Sequence, residues 1–249
     1  MMETDNPFSL EGKNILVTGA SSGIGQATAI ACSKMKANVC ITGRSEVKLN
    51  HTMSMMQGET LSLVGDLTNP DDVNRLLSSL PVLDGVVNCA GIGYRMPTKM
   101  IRQEDISLVM KTNFEATVLL QSALLQNKKI SKGASIVFIA SKAAEYPSFG
   151  NAIYSASKGA IISYAKCLAL EQAPRKVRVN CICPTMVWTD LILQNEVTKE
   201  QLMEDEQRYP LRRYGKPEDI ANLTLFLLSD ASSWMTNSCI DITGGSMEL

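Results

Sequence analysis

The chain has 249 residues, enough for one α/β domain that buries most of its unfolded surface without disulfide or metal staples. Apolar residues make up 45% and charged residues 20%, and 24 basic against 25 acidic side chains leave a net charge of −1. That balance lacks the electrostatic footprint of a nucleic-acid binder or of a protein drawn to an acidic membrane.

The first residues, "MMETDNPFS", carry Glu3 and Asp5 and no apolar core, so they do not read as a signal peptide. "NILVT" (14–18) reads as the first strand, and an amphipathic segment over 23–36 follows it. Between the two lies "GASSGIG", with Gly19, Gly23 and Gly25. A glycine turn from a strand into a helix suits phosphate, because free N–H groups and the helix dipole favour an anion there. Gly19 permits the tight turn, Gly23 the approach of a pyrophosphate, and Gly25 the packing of helix on sheet. The spacing is G-x-x-x-G-x-G rather than G-x-G-x-x-G, and an ordinary glycine-rich turn is the plainer alternative.

The second strand, "NVCIT" (38–42), ends at Gly43 and Arg44, before a helical segment over 45–56. An acidic residue at that strand end holds the ribose 2′-hydroxyl of NAD, whereas an arginine favours the 2′-phosphate of NADP. Gly43 occupies the acidic position here, and the Arg44 guanidinium can bind a phosphate with two hydrogen bonds. Ser21 and Ser22 add hydroxyl donors, so NADP(H) is expected, with NAD(H) as the alternative. A solvated surface arginine is the plainer reading of Arg44.

Further short apolar runs follow at 61–64, 85–88, 135–140, 177–182 and 239–243, with helical patterns over 70–80, 103–127, 152–173 and near 217–229. Continuous apolar strands alternating with helices predict a parallel sheet covered on both faces. Right-handed crossovers make it a doubly wound, Rossmann-type α/β sheet of seven strands, in one domain over 1–249. The stretch 184–216, with Pro184, a weak helical pattern and Pro210, shows no clear strand and is expected to form a lid. The longest apolar runs, such as "LTLFLL", are too short for a membrane span.

The seven cysteines, Cys32, Cys40, Cys89, Cys167, Cys181, Cys183 and Cys239, contain no C-x-x-C, and the single His51 argues against a Cys/His zinc site. They read as buried small hydrophobes in a reducing compartment, so a cytoplasmic protein without a metal is expected.

"NAIYSASKGA" sets Tyr154 and Lys158 four apart on a predicted helix, where such residues are neighbours. An ammonium beside a phenol favours its ionised form, which makes tyrosine a better general acid and base. Chance alone produces such pairs readily, so the rest of the chain has to decide.

Taken with these motifs, the chain resembles the short-chain dehydrogenase/reductases, the single-domain kind, and its pattern is closest to the 3-oxoacyl-[acyl-carrier-protein] reductases. The resemblance runs from "GKNILVTGASSGIG" to "DITGG". Thr18–Gly25, including Ile24, matches T-G-x-x-x-G-x-G, and Asp66 with Leu67 in "GDLT" matches the segment that contacts adenine. "NCAG", with Asn88, Ala90 and Gly91, matches the turn beside the cofactor. "PTMVWT", with Pro184, Val187 and Thr189, matches the segment that covers the nicotinamide, although Thr185 stands where glycine is usual. Ser141 lies thirteen residues before Tyr154, the family's catalytic spacing, and Asn113 in "KTNFEAT" matches the active-site asparagine.

The resemblance implies a catalytic set of Asn113, Ser141, Tyr154 and Lys158. In it Tyr154 exchanges a proton with the substrate oxygen and Ser141 hydrogen-bonds that oxygen. Lys158 holds the nicotinamide ribose, and Asn113 positions a water. The expected reaction is NADP(H)-dependent reduction of a ketone, with a 3-oxoacyl thioester as the leading substrate. The alternatives are an NAD-linked sugar, polyol or other secondary-alcohol dehydrogenase, and a dinucleotide-sensing regulator without turnover. Ile92, Tyr94, Met96, Ala144, Tyr146, Phe149, Met186, Trp188 and Leu191 are expected to line the substrate pocket. Basic clusters at 127–132 and 174–176 suit either an acidic carrier protein or plain surface charge. "FEATVLLQSALL" and "YSASKGAIISYAKCLAL" allow close helix packing, and the family commonly forms tetramers through these helices, so a homo-oligomer (tetramer or dimer) is expected.

Overall fold

The β-branched runs pair as parallel strands, and the amphipathic segments between them carry the chain back across the sheet. The computed structural model describes residues 6–146, 148–193 and 198–245. Glu3 and Asp5 of the amino-terminal reading, and residues 194–197 of the expected lid, fall outside them. The elements are β1 (Asn14–Thr18), α1 (Gly23–Lys34), β2 (Asn38–Gly43), α2 (Glu46–Ser54), β3 (Thr60–Val64), α3 (Pro70–Ser79) and β4 (Leu83–Asn88). Then come α4 (Gln103–Met110), α5 (Ala116–Gln126), β5 (Ile130–Ile139), α6 (Ala152–Gln172) and β6 (Arg178–Pro184). The chain continues through α7 (Asp190–Leu193), α8 (Lys199–Glu206), α9 (Pro217–Leu228) and β7 (Ser238–Ile242).

The strand order is β3-β2-β1-β4-β5-β6-β7, and every neighbouring pair is parallel. This is the doubly wound seven-stranded sheet expected from the sequence. The order reverses between β1 and β4, and such a switch point opens a crevice beyond the carboxyl ends of the strands.

Each face of the sheet carries its own apolar layer. On one face Leu76 and Leu77 of α3, Leu120 and Leu124 of α5, and Ile161 and Leu168 of α6 pack on Leu16, Val86, Ile136 and Phe138. On the other, Ala29 and Cys32 of α1 and Ile220 and Leu227 of α9 pack on Ile15, Val17, Val137 and Ile182. Gly85 on β4 leaves no room for more: an added Cβ would lie 2.5 Å from Ile15 Cδ1 and 2.7 Å from Leu228 Cδ2.

The structure departs from the sequence reading in several places. The helix expected over 103–127 is interrupted by a π-helical turn, Lys111–Glu115, which separates α4 from α5. The expected lid contains α8, whose amino end is a capping box between Thr198 and Gln201. The lid also holds a small core of its own, in which Tyr209, Tyr214, Ile192 and Leu202 pack with Trp188. Not all cysteines are buried, because Cys167 is exposed and Cys89 and Cys239 are half-buried; all seven are free thiols. Among the described residues no helix is long and apolar enough to cross a membrane. The basic clusters lie where β5 and β6 begin, at the amino ends of the strands and away from the crevice. There Lys129 Nζ donates to Leu80 O and Arg175 Nη2 donates to Ile130 O at 2.6 Å.

Candidate active site

The glycine turn is built by close backbone approaches. Gly19 has φ +66°, and a Cβ on it would lie 2.9 Å from the backbone of Ala90. A Cβ on Gly25 would lie 2.3 Å from Gly19 O, so α1 can leave the turn this tightly only with glycine there. Thr18 Oγ1 fastens the turn to the end of β4 by accepting the N–H groups of Cys89 at 3.0 Å and Ala90 at 3.1 Å. At the start of α1, Ser22 makes no side-chain cap and the first turn holds no acidic residue. The first N–H groups and the positive end of the helix dipole therefore remain open to an anion.

At the end of β2, a Cβ on Gly43 would meet Ser21 Oγ at 3.0 Å, so the strand end presses directly on the glycine turn. Arg44 is exposed and lines the crevice beside it. Lys48, one turn into α2, lines the same wall and pairs with Asp190 at 3.7 Å across the opening. Asp66 Oδ1 accepts from both the backbone N–H and the hydroxyl of Thr68 at 2.8 Å. Partial burial opposes its charge, but the Thr68 hydrogen bonds and the Arg44 and Lys111 charges outweigh it, and the carboxyl is held below its ordinary value.

Lys158 is 7% exposed; its Nζ donates to Ile139 O at 2.8 Å and lies 5.8 Å from the centroid of the Tyr154 ring. The lysine is thus pinned beside the tyrosine by the last carbonyl of β5. Ser141 follows that strand and opens a 3₁₀ turn, its Oγ accepting Ala143 N–H at 3.1 Å. Asn113 sits in the π turn, a feature frequent at functional sites. Its side chain accepts Ile92 N–H at 2.8 Å and donates to Ile92 O at 3.0 Å and Ser157 Oγ at 3.1 Å. Ser157 Oγ donates in turn to Tyr154 O at 2.7 Å. Asn113 therefore clamps the turn after β4 to the helix that carries the tyrosine. A Cβ on Gly91 would lie 3.1 Å from Asn113 Oδ1 and 3.8 Å from Lys158 Nζ, so glycine leaves the space between them clear.

One cavity of about 1040 Å³ joins these parts. Of the residues singled out from the sequence it is lined by Gly19, Ser21, Ser22, Gly23, Ile24, Arg44, Asp66, Leu67, Ala90, Gly91, Ser141, Tyr154, Lys158, Pro184, Val187 and Thr189. Gly25, Asn88 and Asn113 stand behind the wall. Asn88 is 6% exposed, its Oδ1 accepting from Gln121 at 2.8 Å and its Nδ2 donating to Val137 O at 3.4 Å.

Of the expected pocket residues, Ile92, Tyr94, Tyr146, Met186 and Leu191 line the cavity, while Met96, Ala144, Phe149 and Trp188 do not. Phe149 is 85% exposed, and Trp188 turns into the lid core, where its Nε1 donates to Glu206 at 2.9 Å. Thr185 has no left-handed φ, so it replaces glycine without backbone strain, and its hydroxyl donates to Thr243 O at 3.2 Å.

The sequence reading passed over Lys142, which is 7% exposed and next to Ser141. It pairs with Asp241 at 2.6 Å and with Glu145, and its ammonium sits 4.7 Å over the Tyr146 ring. Hydrogen bonds from these two carboxylates hold its pKa above the ordinary lysine value against the opposing effect of burial. The pair fixes the turn that begins at Ser141 to the end of β7.

Known proteins resemble this chain over nearly its whole length. A family model described as enoyl-(acyl carrier protein) reductase matches residues 19–247. The 3-oxoacyl-[acyl-carrier-protein] reductase of Rickettsia felis is 33% identical over 239 residues, which cover 96% of this chain and 98% of that protein. A solved short chain dehydrogenase/reductase family protein superposes with a TM-score of 0.87 at 33% identity, covering 95% of this chain and 98% of its own. The L-sorbose reductase of Gluconobacter frateurii, solved with NADPH and L-sorbose, has a TM-score of 0.87 at 27% identity, with 96% and 98% of the two chains covered.

Proposed function

Because the chain belongs to the short-chain dehydrogenase/reductase family, we propose that it reduces a ketone to a secondary alcohol with NADP(H), a 3-oxoacyl thioester being the leading substrate. It is an NAD(P)-dependent oxidoreductase acting on CH–OH and C=O groups. The observation that carries the finer reading is the convergence of Ser141, Tyr154 and Lys158 on the cavity that the glycine turn also lines.

The residues present fit a dinucleotide. The open amino end of α1 would hold the pyrophosphate, Asp66 and Leu67 the adenine, Arg44 a 2′-phosphate, and Lys158 the ribose nearer the reacting ring. A bound nicotinamide supplies hydride to the carbonyl carbon. Tyr154 donates its phenolic proton to the carbonyl oxygen as negative charge builds there. Ser141 Oγ already accepts Ala143 N–H, which leaves its own O–H free to hydrogen-bond the same oxygen. One of the three ammonium protons of Lys158 is taken by Ile139 O. The other two remain for ribose, and the charge stands beside the phenolate left after proton transfer. In the reverse direction Tyr154 takes the alcohol proton as base.

NADPH and NADH consumption over a panel of acetoacetyl thioesters, sugars and alicyclic ketones tests this reading. Turnover of thioesters with NADPH is expected. A second reading, an NAD(P)-linked sugar or polyol enzyme, is supported by the likeness to L-sorbose reductase, and turnover of sugars alone would establish it. Nucleotide binding with no turnover of any carbonyl would leave a dinucleotide sensor. Arg44→Ala is expected to weaken NADPH and spare NADH; an unchanged ratio would favour the NAD-linked reading. Leu119 on α5 and Leu170 on α6 are 63% and 68% exposed, which supports a homo-oligomer assembled through these helices.

A further inference from the structure

We propose that Arg95 binds an anionic group, a carboxylate or a phosphate, carried by the ketone substrate. This rests on the reading of the cavity as a ketone reductase site.

The charged residues on the cavity wall fall into three groups. Arg44, Lys48, Asp66 and Asp190 lie at the end that suits the adenosine half of a nucleotide. Lys142 and Lys158 flank the proposed reacting centre; Lys142 pairs with Glu145 and Asp241, and Lys158 donates to Ile139 O and would turn its remaining protons to the ribose. Arg95 alone remains, on the wall shared with Tyr94, Ser148, Asn151 and Tyr154. It makes no ion pair and no hydrogen bond with any described residue, and the two carboxylates that line the cavity are engaged elsewhere, Asp66 by Thr68 and Asp190 by Lys48. The nearby Asp105 is taken up by the Tyr94 hydroxyl and by the backbone N–H of Arg102 at 2.8 Å. A guanidinium at a cavity mouth with no internal counter-ion is a ready partner for a carboxylate or phosphate brought by the ligand.

Arg95 is exposed, and the backbone that carries it is held in place. Met96 N–H donates to Gly150 O at 2.7 Å, tying the turn after β4 to the turn that leads into α6. A Cβ on Gly150 would lie 3.8 Å from Arg95 Cβ. The stem of Arg95 thus starts beside the residue four before Tyr154, and Arg95 and Tyr154 line the same cavity. The first turn of α6 carries no acidic residue, so the local field adds to the attraction for an anion. A small oxo acid and a ketone on a phosphate-bearing carrier arm satisfy this chemistry equally.

The test uses oxo acids of graded chain length, each paired with its primary amide, and acetoacetyl-phosphopantetheine paired with acetoacetyl-pantetheine. In at least one pair the charged member is expected to have a kcat/KM about tenfold higher, the order of one charge-assisted hydrogen bond. That ratio should collapse in Arg95→Gln and survive in Arg95→Lys. The pair that shows it tells a small acid from a carrier arm. Equal kcat/KM within every pair, or a preference that survives Arg95→Gln, overturns the proposal. Calorimetric titration of Tyr154→Phe loaded with NADPH reads affinity for the same pairs without turnover. Charge-selective binding that depends on Arg95, with no turnover of any ketone by the parent protein, would overturn the reductase reading and leave the anion site standing. Equal or undetectable binding of both members of every pair overturns the anion site.

Discussion

Asn113→Ala removes the clamp between the turn after β4 and α6, and the structure sets its size. Asn113 is 2% exposed, and its amide satisfies Ile92 N–H, Ile92 O and Ser157 Oγ. Ser157 keeps its bond to Tyr154 O in the variant, but both backbone groups of Ile92 lose a partner. Each orphaned group costs about 1–3 kcal/mol, so a total of about 3 kcal/mol is expected. For a domain of this size 1 kcal/mol moves Tm by about 2–4 °C, which gives a fall of about 6–12 °C. Thermal unfolding followed by circular dichroism reads this directly. Steady-state kinetics should show kcat falling more than NADPH affinity, because the clamp holds Tyr154 and Gly91 in place rather than the nucleotide. A Tm within about 2 °C of the parent together with an unchanged kcat would refute the clamp, since two unpartnered groups at about 1 kcal/mol each already give a fall of about 4 °C.

Other perturbations follow from the same geometry. Gly43→Asp places a carboxylate against Ser21, where a 2′-phosphate would be repelled and a 2′-hydroxyl held; the NADPH-to-NADH affinity ratio, read by fluorescence titration, should fall about tenfold or more. Asp219 bonds Arg213 at 2.6 Å and caps α9 through Lys216 N–H at 2.7 Å, and its carboxyl is held below its ordinary value chiefly by the Arg213 hydrogen bond. A depressed folded value means that its stabilisation is complete above about pH 4, the ordinary carboxyl value, and is lost as pH falls below it through the depressed folded value. Asp219→Asn should therefore cost about 1 kcal/mol by denaturant unfolding at neutral pH, and the difference should vanish in acid. Leu119→Lys should shift the protein to a smaller species in sedimentation with its fold retained; an unchanged mass would place the subunit contact elsewhere.

The sheet was legible because a strand covered on both faces must be a continuous apolar run, and "NILVT", "NVCIT" and "VRVNCI" admit few other readings. The neighbourhood of Tyr154 and Lys158 was legible from their spacing on one helix, and Ser141 came from the family resemblance; the structure sets all three on one cavity because β5 ends beside the first turns of α6. The π turn was not, because inserting one residue per turn leaves no mark on the composition of 103–127. The interior of the lid was partly readable: "TKEQ" is a capping-box signal for α8, but only Leu202 of that helix is buried, so no apolar stripe announces it. Trp188 was assigned to the substrate pocket as a residue of the lid, within the segment matched to the nicotinamide cover. Its partners Glu206 and Tyr214 are 18 and 26 residues further on, and nothing local points to them. Lys142 meets Asp241 across 99 residues, and only the adjacency of β5, β6 and β7 brings them together.

The most direct test of the proton-donor role is the turnover of Tyr154→Phe at saturating NADPH, with nucleotide affinity measured on the same preparation. The phenyl ring keeps the packing and removes only the hydroxyl. A loss of about 10²–10⁴ in kcat, the range for a positioned general acid, with unaltered NADPH binding is the predicted result. Full turnover by the phenylalanine variant would contradict it.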